Sequence, residues 1–294
     1  MATISNPNCT FLDEQLKRYF LPVTYSVIFI VGLVGNVTSI GVYLTKLRPW
    51  KSSSIIMVNL ALTDLLYVLS MPFLVYYYSH GDSWPFGDIM CRFVRFGFHF
   101  NLYGSILFLT CHAVFRYVVV TRPLRAAQVQ QTCWGIVACS FVWIVTATEV
   151  TPMLWIIKSE KHDNKTFCMD FASVIGQSPN LRWYSWLLTT LGFLLPLVVV
   201  FICYIGIARK LAEGPGASTS SRMRASRVTV LILVVFAVCF LPYHILRVLR
   251  IETQGVKFKG AFLSTFHWKC WLTRARSLLH KAFVSRAGTD TTAV

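Results

Sequence analysis

Six stretches of this chain are long enough and apolar enough to cross a lipid bilayer, and that limits the fold more than any other feature. A spanning helix needs about 20 mostly apolar residues. Runs over 21–46, 52–78, 88–120, 128–157, 182–210 and 224–251 meet that length. The first holds no Asp, Glu, Lys or Arg before Lys46, and the second is interrupted only by Asp64. Hydrocarbon offers no water to unpaired N–H and C=O groups, so such runs must form helices, which satisfy their backbone internally. The expected fold is an all-α membrane protein, a helical bundle with six clear spans.

Composition agrees. The chain is 55% hydrophobic and 14% charged, against about 25% charged for a soluble domain. Its net charge of +16 would also suit a nucleic-acid binder, but that needs basic residues grouped on one exposed face. Here they cluster at the ends of apolar runs, so the expected partner is the bilayer and not nucleic acid. Lys46, Arg48 and Lys51 follow the first run, and Arg116, Arg122 and Arg125 close the third. Arg209, Lys210, Arg222, Arg224 and Arg227 lie between the fifth and sixth. Basic connections stay in the cytoplasm, which puts the N-terminal tail, residues 1–20, outside.

That tail carries Asp13, Glu14, Lys17 and Arg18 with no apolar core before them. Membrane delivery is therefore expected to rest on the first span. Two sequons fall on the outer side, at Asn8-Cys9-Thr10 and Asn164-Lys165-Thr166, so Asn8 and Asn164 are expected glycosylation sites. Residues 214–221, rich in Gly, Ser and Pro, read as a flexible loop.

Cysteine placement divides the nine cysteines. Cys111, Cys133, Cys139, Cys203 and Cys239 lie inside apolar runs and read as small buried hydrophobes. Cys9, Cys91, Cys168 and Cys270 lie near run ends or in connections, without CxxC spacing. No metal site is expected from them; bridges between outward loops are.

The pattern breaks after Gln254. The longest apolar candidate there, residues 261–272, is interrupted by His267 and Lys269. Residues 255–294 hold seven Lys or Arg against one acid, Asp290. With six spans this basic tail would lie outside, against the charge rule. It reads as a spliced or frameshifted terminus, or as a re-entrant or interfacial amphipathic segment.

Several residues inside the runs carry a resemblance. They are Gly35-Asn36-Val37, Asn59-Leu60-Ala61-Leu62-Thr63-Asp64, Trp143, Pro196 with Tyr204, and Phe236 with Cys239-Phe240-Leu241-Pro242. In this order the chain resembles the rhodopsin-like (class A) G-protein-coupled receptors over residues 15–253, with the 254–294 tail outside the likeness. Arg48-Pro49-Trp50-Lys51-Ser52-Ser53, His99-Phe100-Asn101-Leu102-Tyr103 and the stretch from Phe240 to Arg247 look like the oxoglutarate-receptor branch, near the succinate and nucleotide (purinergic) receptors. Two departures stand out. Phe115, not an acid, precedes Arg116-Tyr117, which would weaken an inactive-state lock. The seventh helix, with its Asn-Pro-x-x-Tyr element, is missing or aberrant.

Candidate sites follow from residues and resemblance together. Arg95, His99 and Tyr103 stand at i, i+4 and i+8 on one helix face; His244 and Arg247 share another. Charges within a span usually face a cavity or a partner. Two guanidiniums could each grip one carboxylate with two parallel N–H donors. This reads as a cationic pocket for a small anionic metabolite, a dicarboxylate such as 2-oxoglutarate. Snorkelling to headgroups is the competing reading and suits Arg250. The resemblance implies a Cys91–Cys168 disulfide, a Cys9–Cys270 pair, and a partial sodium site at Asp64, Asn101 and Ser105. It also implies a heterotrimeric G protein docking near Arg116, Tyr117 and Tyr204, with Phe236, Phe240 and Pro242 serving the movement of the sixth helix.

Other classes fit less well. No HExxH, GxSxG or Walker element is present, so no enzyme is expected. Internal repeats and paired broken helices, frequent in transporters, are not visible either. The expected location is the plasma membrane, with retention in the endoplasmic reticulum as the outcome if the tail prevents folding. A non-signalling receptor variant is the alternative function.

Overall fold

The computed structural model describes residues 16–46, 50–162, 165–171, 174, 181–212 and 219–257. The glycosylation candidates Asn8 and Asn164, the Cys9–Cys270 pair and residues 258–294 lie outside them. Among the described residues six helices are long and apolar enough to cross a membrane. We label them α1 (Arg18–Thr45), α2 (Ser52–Ser79), α3 (Gly87–Thr121), α4 (Thr132–Ile156), α5 (Arg182–Lys210) and α6 (Ser226–Leu249). Helical backbone continues beyond α6 to Lys257, past the boundary expected from hydropathy. The backbone ladder there does not depend on apolar side chains, and Glu252 is held by Arg182 and by Trp186 Nε1 at 3.2 Å.

Prolines explain why the spans are not straight. A proline lacks an N–H and collides with the carbonyl four residues earlier. The α2 helix breaks after Val68 and restarts at Met71 beside Pro72. The α4 helix breaks after Val150 and restarts at Met153 beside Pro152. Ahead of Pro196 and Pro242 the chain widens instead into five-residue π turns, Thr190–Leu194 and Phe236–Phe240, a known way of absorbing such a clash.

Helix α3 is the axis of the bundle. It packs against α2, α4, α5 and α6, while α1 packs on α2. Its inward residues Tyr103, Ile106, Phe108 and Ala113 are essentially inaccessible. Many outward residues, such as Val31, Leu66, Ile144 and Val238, are exposed aliphatics; in a bilayer those faces meet lipid. Cys139 and Cys203 are buried as expected, but Cys133 and Cys239 are exposed. An apolar run in a membrane marks both its lipid face and its protein face, so residing in one did not prove burial in protein.

Between α4 and α5 lies a feature absent from the all-helical expectation, an antiparallel hairpin of β1 (Ser159–His162) and β2 (Lys165–Cys168), in which Ser159 faces Cys168. Three ties hold it over one end of the bundle. Cys168 is disulfide-bonded to Cys91 on α3, with Cα atoms 5.6 Å apart. Asp88 accepts bonds from the Ser159 amide at 2.7 Å and its hydroxyl at 3.1 Å. Trp84 donates its backbone N–H to Thr166 O at 2.8 Å.

Close approach of α2 and α4 depends on Gly135, where an added Cβ would lie 2.7 Å from Ser52 Cα. Backbone cannot rotate aside as a side chain can. Gly135→Val should therefore destabilise the bundle by about 1–3 kcal/mol, read as a lower midpoint in thermal unfolding of the solubilised protein. An unchanged midpoint would contradict this packing.

Candidate functional site

Under the hairpin the upper parts of α1, α2, α3 and α6 enclose a cavity of about 310 Å³. Its wall includes Arg95 and His99 from α3, Arg247 from α6, and Asp170 and Phe171 just after β2. Tyr25, Tyr67, Tyr78 and Tyr243 supply much of the rest. Most of the lining is thus aromatic or aliphatic, with a few charged groups converging, the usual make-up of a small-molecule site.

The two arginines are held differently. Arg95 Nη2 donates to Cys168 O at 3.0 Å, which couples it to the disulfide-anchored loop. Arg247 is only 4% exposed. Its guanidinium donates to the Tyr103 hydroxyl and to Ser185 Oγ at 3.2 Å, and lies 4.7 Å from the centre of the Phe171 ring, a cation–π arrangement. In both side chains Nε is buried without an acceptor among the described residues. A buried charged donor left unsatisfied is costly, and both residues also contribute to the cavity lining.

His99 is fixed from two sides, with Nδ1 2.9 Å from Arg95 O and Nε2 3.4 Å from the Tyr243 hydroxyl. The shared helix face expected for Arg95, His99 and Tyr103 exists, but Tyr103 lies below the cavity and reaches it through Arg247. Its position depends on Gly192, where a Cβ would come within 2.5 Å of the Tyr103 ring. His244 also stands behind the wall. It is 2% exposed, stacked on Phe193 at 4.2 Å, with neither ring nitrogen hydrogen-bonded among the described residues. One helical turn of separation puts His244 and Arg247 on a common side but at different depths.

Residues missed in the sequence are Asp170, Phe171 and the tyrosines. Asp170 and Phe171 follow Cys168 by two and three positions, so a loop tied to α3 must bring them to the cavity. The tyrosines carry no periodic signal beyond that of ordinary apolar spans.

Deeper in the bundle, Asn101 Nδ2 donates to Asp64 Oδ1 at 2.7 Å, and Ser105 Oγ to the same oxygen at 3.5 Å. The expected trio is therefore assembled. At the far end from the hairpin, Arg116 Nε contacts His112 Nε2 at 3.3 Å, and the Tyr117 ring packs against Gly206. Tyr204 and Phe236 line a separate, apolar cavity of about 400 Å³ between α5 and α6. Phe236 is buried and meets Phe240 edge-on at 5.4 Å, next to the bend at Pro242.

Removing the Tyr103 hydroxyl should expose how Arg247 is held. Tyr103→Phe leaves the ring in place and deletes one hydrogen bond to a buried cation, worth about 1.5–3 kcal/mol. The expected result is a lower thermal midpoint for the ligand-free protein with unchanged helix content by circular dichroism. An unaltered midpoint would mean that Arg247 does not depend on Tyr103.

Comparison with known proteins agrees with this architecture. Residues 35–279 match the 7 transmembrane receptor (rhodopsin family), a match that runs past Gln254, where the motif-based likeness ended. The chain is 49% identical over 262 residues to "2-oxoglutarate receptor 1" of Rattus norvegicus, covering 88% of this chain and 77% of that one. Against its Mus musculus counterpart the identity is 48% with the same coverage. Against purinoceptor 4 of Rattus norvegicus it is 40% over 249 residues, covering 84% of this chain and 68% of the relative. Six membrane-length helices around α3, the α3-to-hairpin disulfide and this match lead to one conclusion: the chain is a multi-pass membrane protein of the rhodopsin family of G-protein-coupled receptors, a receptor family that takes small-molecule ligands and G-protein partners and not an enzyme class.

Proposed function

We propose that this receptor binds a small dianion, a dicarboxylate such as 2-oxoglutarate, and signals to a heterotrimeric G protein at the plasma membrane. The observation that carries the reading is the pair of guanidiniums, Arg95 and Arg247, lining one cavity, each with a buried Nε lacking an acceptor among the described residues. A dicarboxylate has two anionic ends for two cationic sites. Volume supports a small acid over a nucleotide, since about 310 Å³ is at the lower end of ligand pockets, roughly 300–1,000 Å³. The names of the relatives supply both chemistries, oxoglutarate for one group and purines for the other.

In this reading the hairpin end faces outward, in keeping with the basic connections at the opposite end. Arg95, His99 and Arg247 meet the ligand directly, and Tyr103 positions Arg247, with His244 behind it. Asp64, Asn101 and Ser105 would offer oxygen ligands to a sodium ion that favours the resting state. Arg116, Tyr117 and Tyr204 form the face for the G protein. Phe236, Phe240 and Pro242 carry the displacement of α6, and the apolar cavity beside Tyr204 leaves room for it.

The test is a pair of substitutions. Arg95→Ala and Arg247→Ala should each weaken 2-oxoglutarate binding by roughly ten- to a hundredfold. That follows from about 1.5–3 kcal/mol for a charged hydrogen bond and about 1.4 kcal/mol per factor of ten. Surface display should survive. Unchanged affinity in both variants would reject the cavity as the anion site.

A second reading, a non-signalling form, is favoured by one observation: residues 255–294 are basic and contain no run of about 20 apolar residues. Surface labelling and G-protein activation by the 294-residue chain decide between the readings. Intracellular retention without an agonist response supports the second; robust labelling with an agonist-driven signal eliminates it.

A further inference from the structure

The cationic wall of the cavity under the hairpin includes an acid, Asp170. It contributes to the same lining as Arg95, His99 and Arg247, so the site is not purely cationic. Three ties hold the chain just before the acid. Cys168, two residues earlier, is bonded to Cys91, and its carbonyl accepts from Arg95 Nη2 at 3.0 Å. Met169, between them, donates its backbone N–H to Lys158 O at 3.4 Å. The backbone just before the acid is therefore tied in place, with Asp170 in the lining of the cavity.

We propose that Asp170 is a built-in competitor for the ligand, a tethered carboxylate that shares the cationic field of Arg95 and Arg247 and sets the affinity of the receptor for anions. The idea rests on the anion-pocket reading above and deepens it. Without ligand, two guanidiniums facing one small cavity would repel each other across a poorly screened space, and Asp170 offsets part of that cost. With ligand, the same carboxylate repels the incoming one. A dianion meets this repulsion twice and a monoanion once. The acid thus stabilises the empty receptor and weakens binding, and its removal should shift the two properties in opposite directions. A residue that only braced the loop would not do this. A residue that accepted a bond from the ligand would shift affinity the other way.

The experiment uses the full 294-residue chain in neutral-lipid nanodiscs. The probes are 2-oxoglutarate and 2-oxopentanoate, five-carbon oxo acids that differ by one carboxylate. Asp170→Asn keeps the size of the side chain and removes its charge, and Asp170→Ser serves if the amide misfolds. The expected result is a lower thermal midpoint for the ligand-free variant together with at least about tenfold tighter 2-oxoglutarate binding, equivalent to about 1.4 kcal/mol, and a smaller gain for 2-oxopentanoate. Binding that becomes measurable only in the variant also supports the proposal. Equal or weaker affinity in both variants, with wild-type binding intact, overturns the competitor role alone. Absence of binding by wild type and both variants rejects the anion cavity itself, and the competitor with it.

Discussion

Inside a bilayer no water is available to replace a missing hydrogen bond, and this constraint governs the structure from backbone to site. It makes each apolar run a helix, because only a helix satisfies its own backbone within one segment. It also explains how the breaks are handled. Near Pro196 and Pro242 the chain does not open to solvent; it widens into a π turn and continues. The hairpin of β1 and β2, whose strands pair with each other, sits at the end of the bundle, where its outer edges can meet water.

The same constraint selects the few polar groups kept in the interior. Most are engaged by a neighbour or aimed at a cavity. Asn101 and Ser105 donate to Asp64, and Trp143 Nε1 donates to Asn59 Oδ1 at 2.9 Å. Arg247 is held by Tyr103, Ser185 and Phe171. Among the described residues, the unsatisfied cationic donors belong to two arginines that line one small cavity. That concentration, more than the total basic charge of the chain, supports the proposed preference for an anion.

Helix α3 connects these parts. It carries the disulfide that places the loop, the arginine and histidine that line the cavity, the tyrosine under Arg247, two members of the Asp64 cluster, and Arg116 at the far end. Each of these features therefore shares one rigid element with the others. Movement of α6 would be felt by α3 through the Arg247–Tyr103 bond; α6 carries Arg247 near one end and Phe236 nearer the other. The π turn before Pro242 lies between those two residues, where a change of bend would alter their separation.

The sequence by itself determined the six spans, their basic connections, the family likeness and the arginine and histidine candidates. These depend on run length, charge placement and local motifs, all properties of neighbouring residues. It also indicated Asp64, Asn101 and Ser105, through the family resemblance. Only the tertiary structure decided that Tyr103 and His244 stand behind the cavity wall while Asp170, Phe171 and four tyrosines form part of it. Depth along a helix face and the descent of a loop depend on how separate helices cross, and no periodicity within one helix records that. The exposure of Cys133 and Cys239 was undecided for the same reason. Lipid and protein interior are equally apolar, so hydropathy alone cannot distinguish the face turned to one from the face turned to the other.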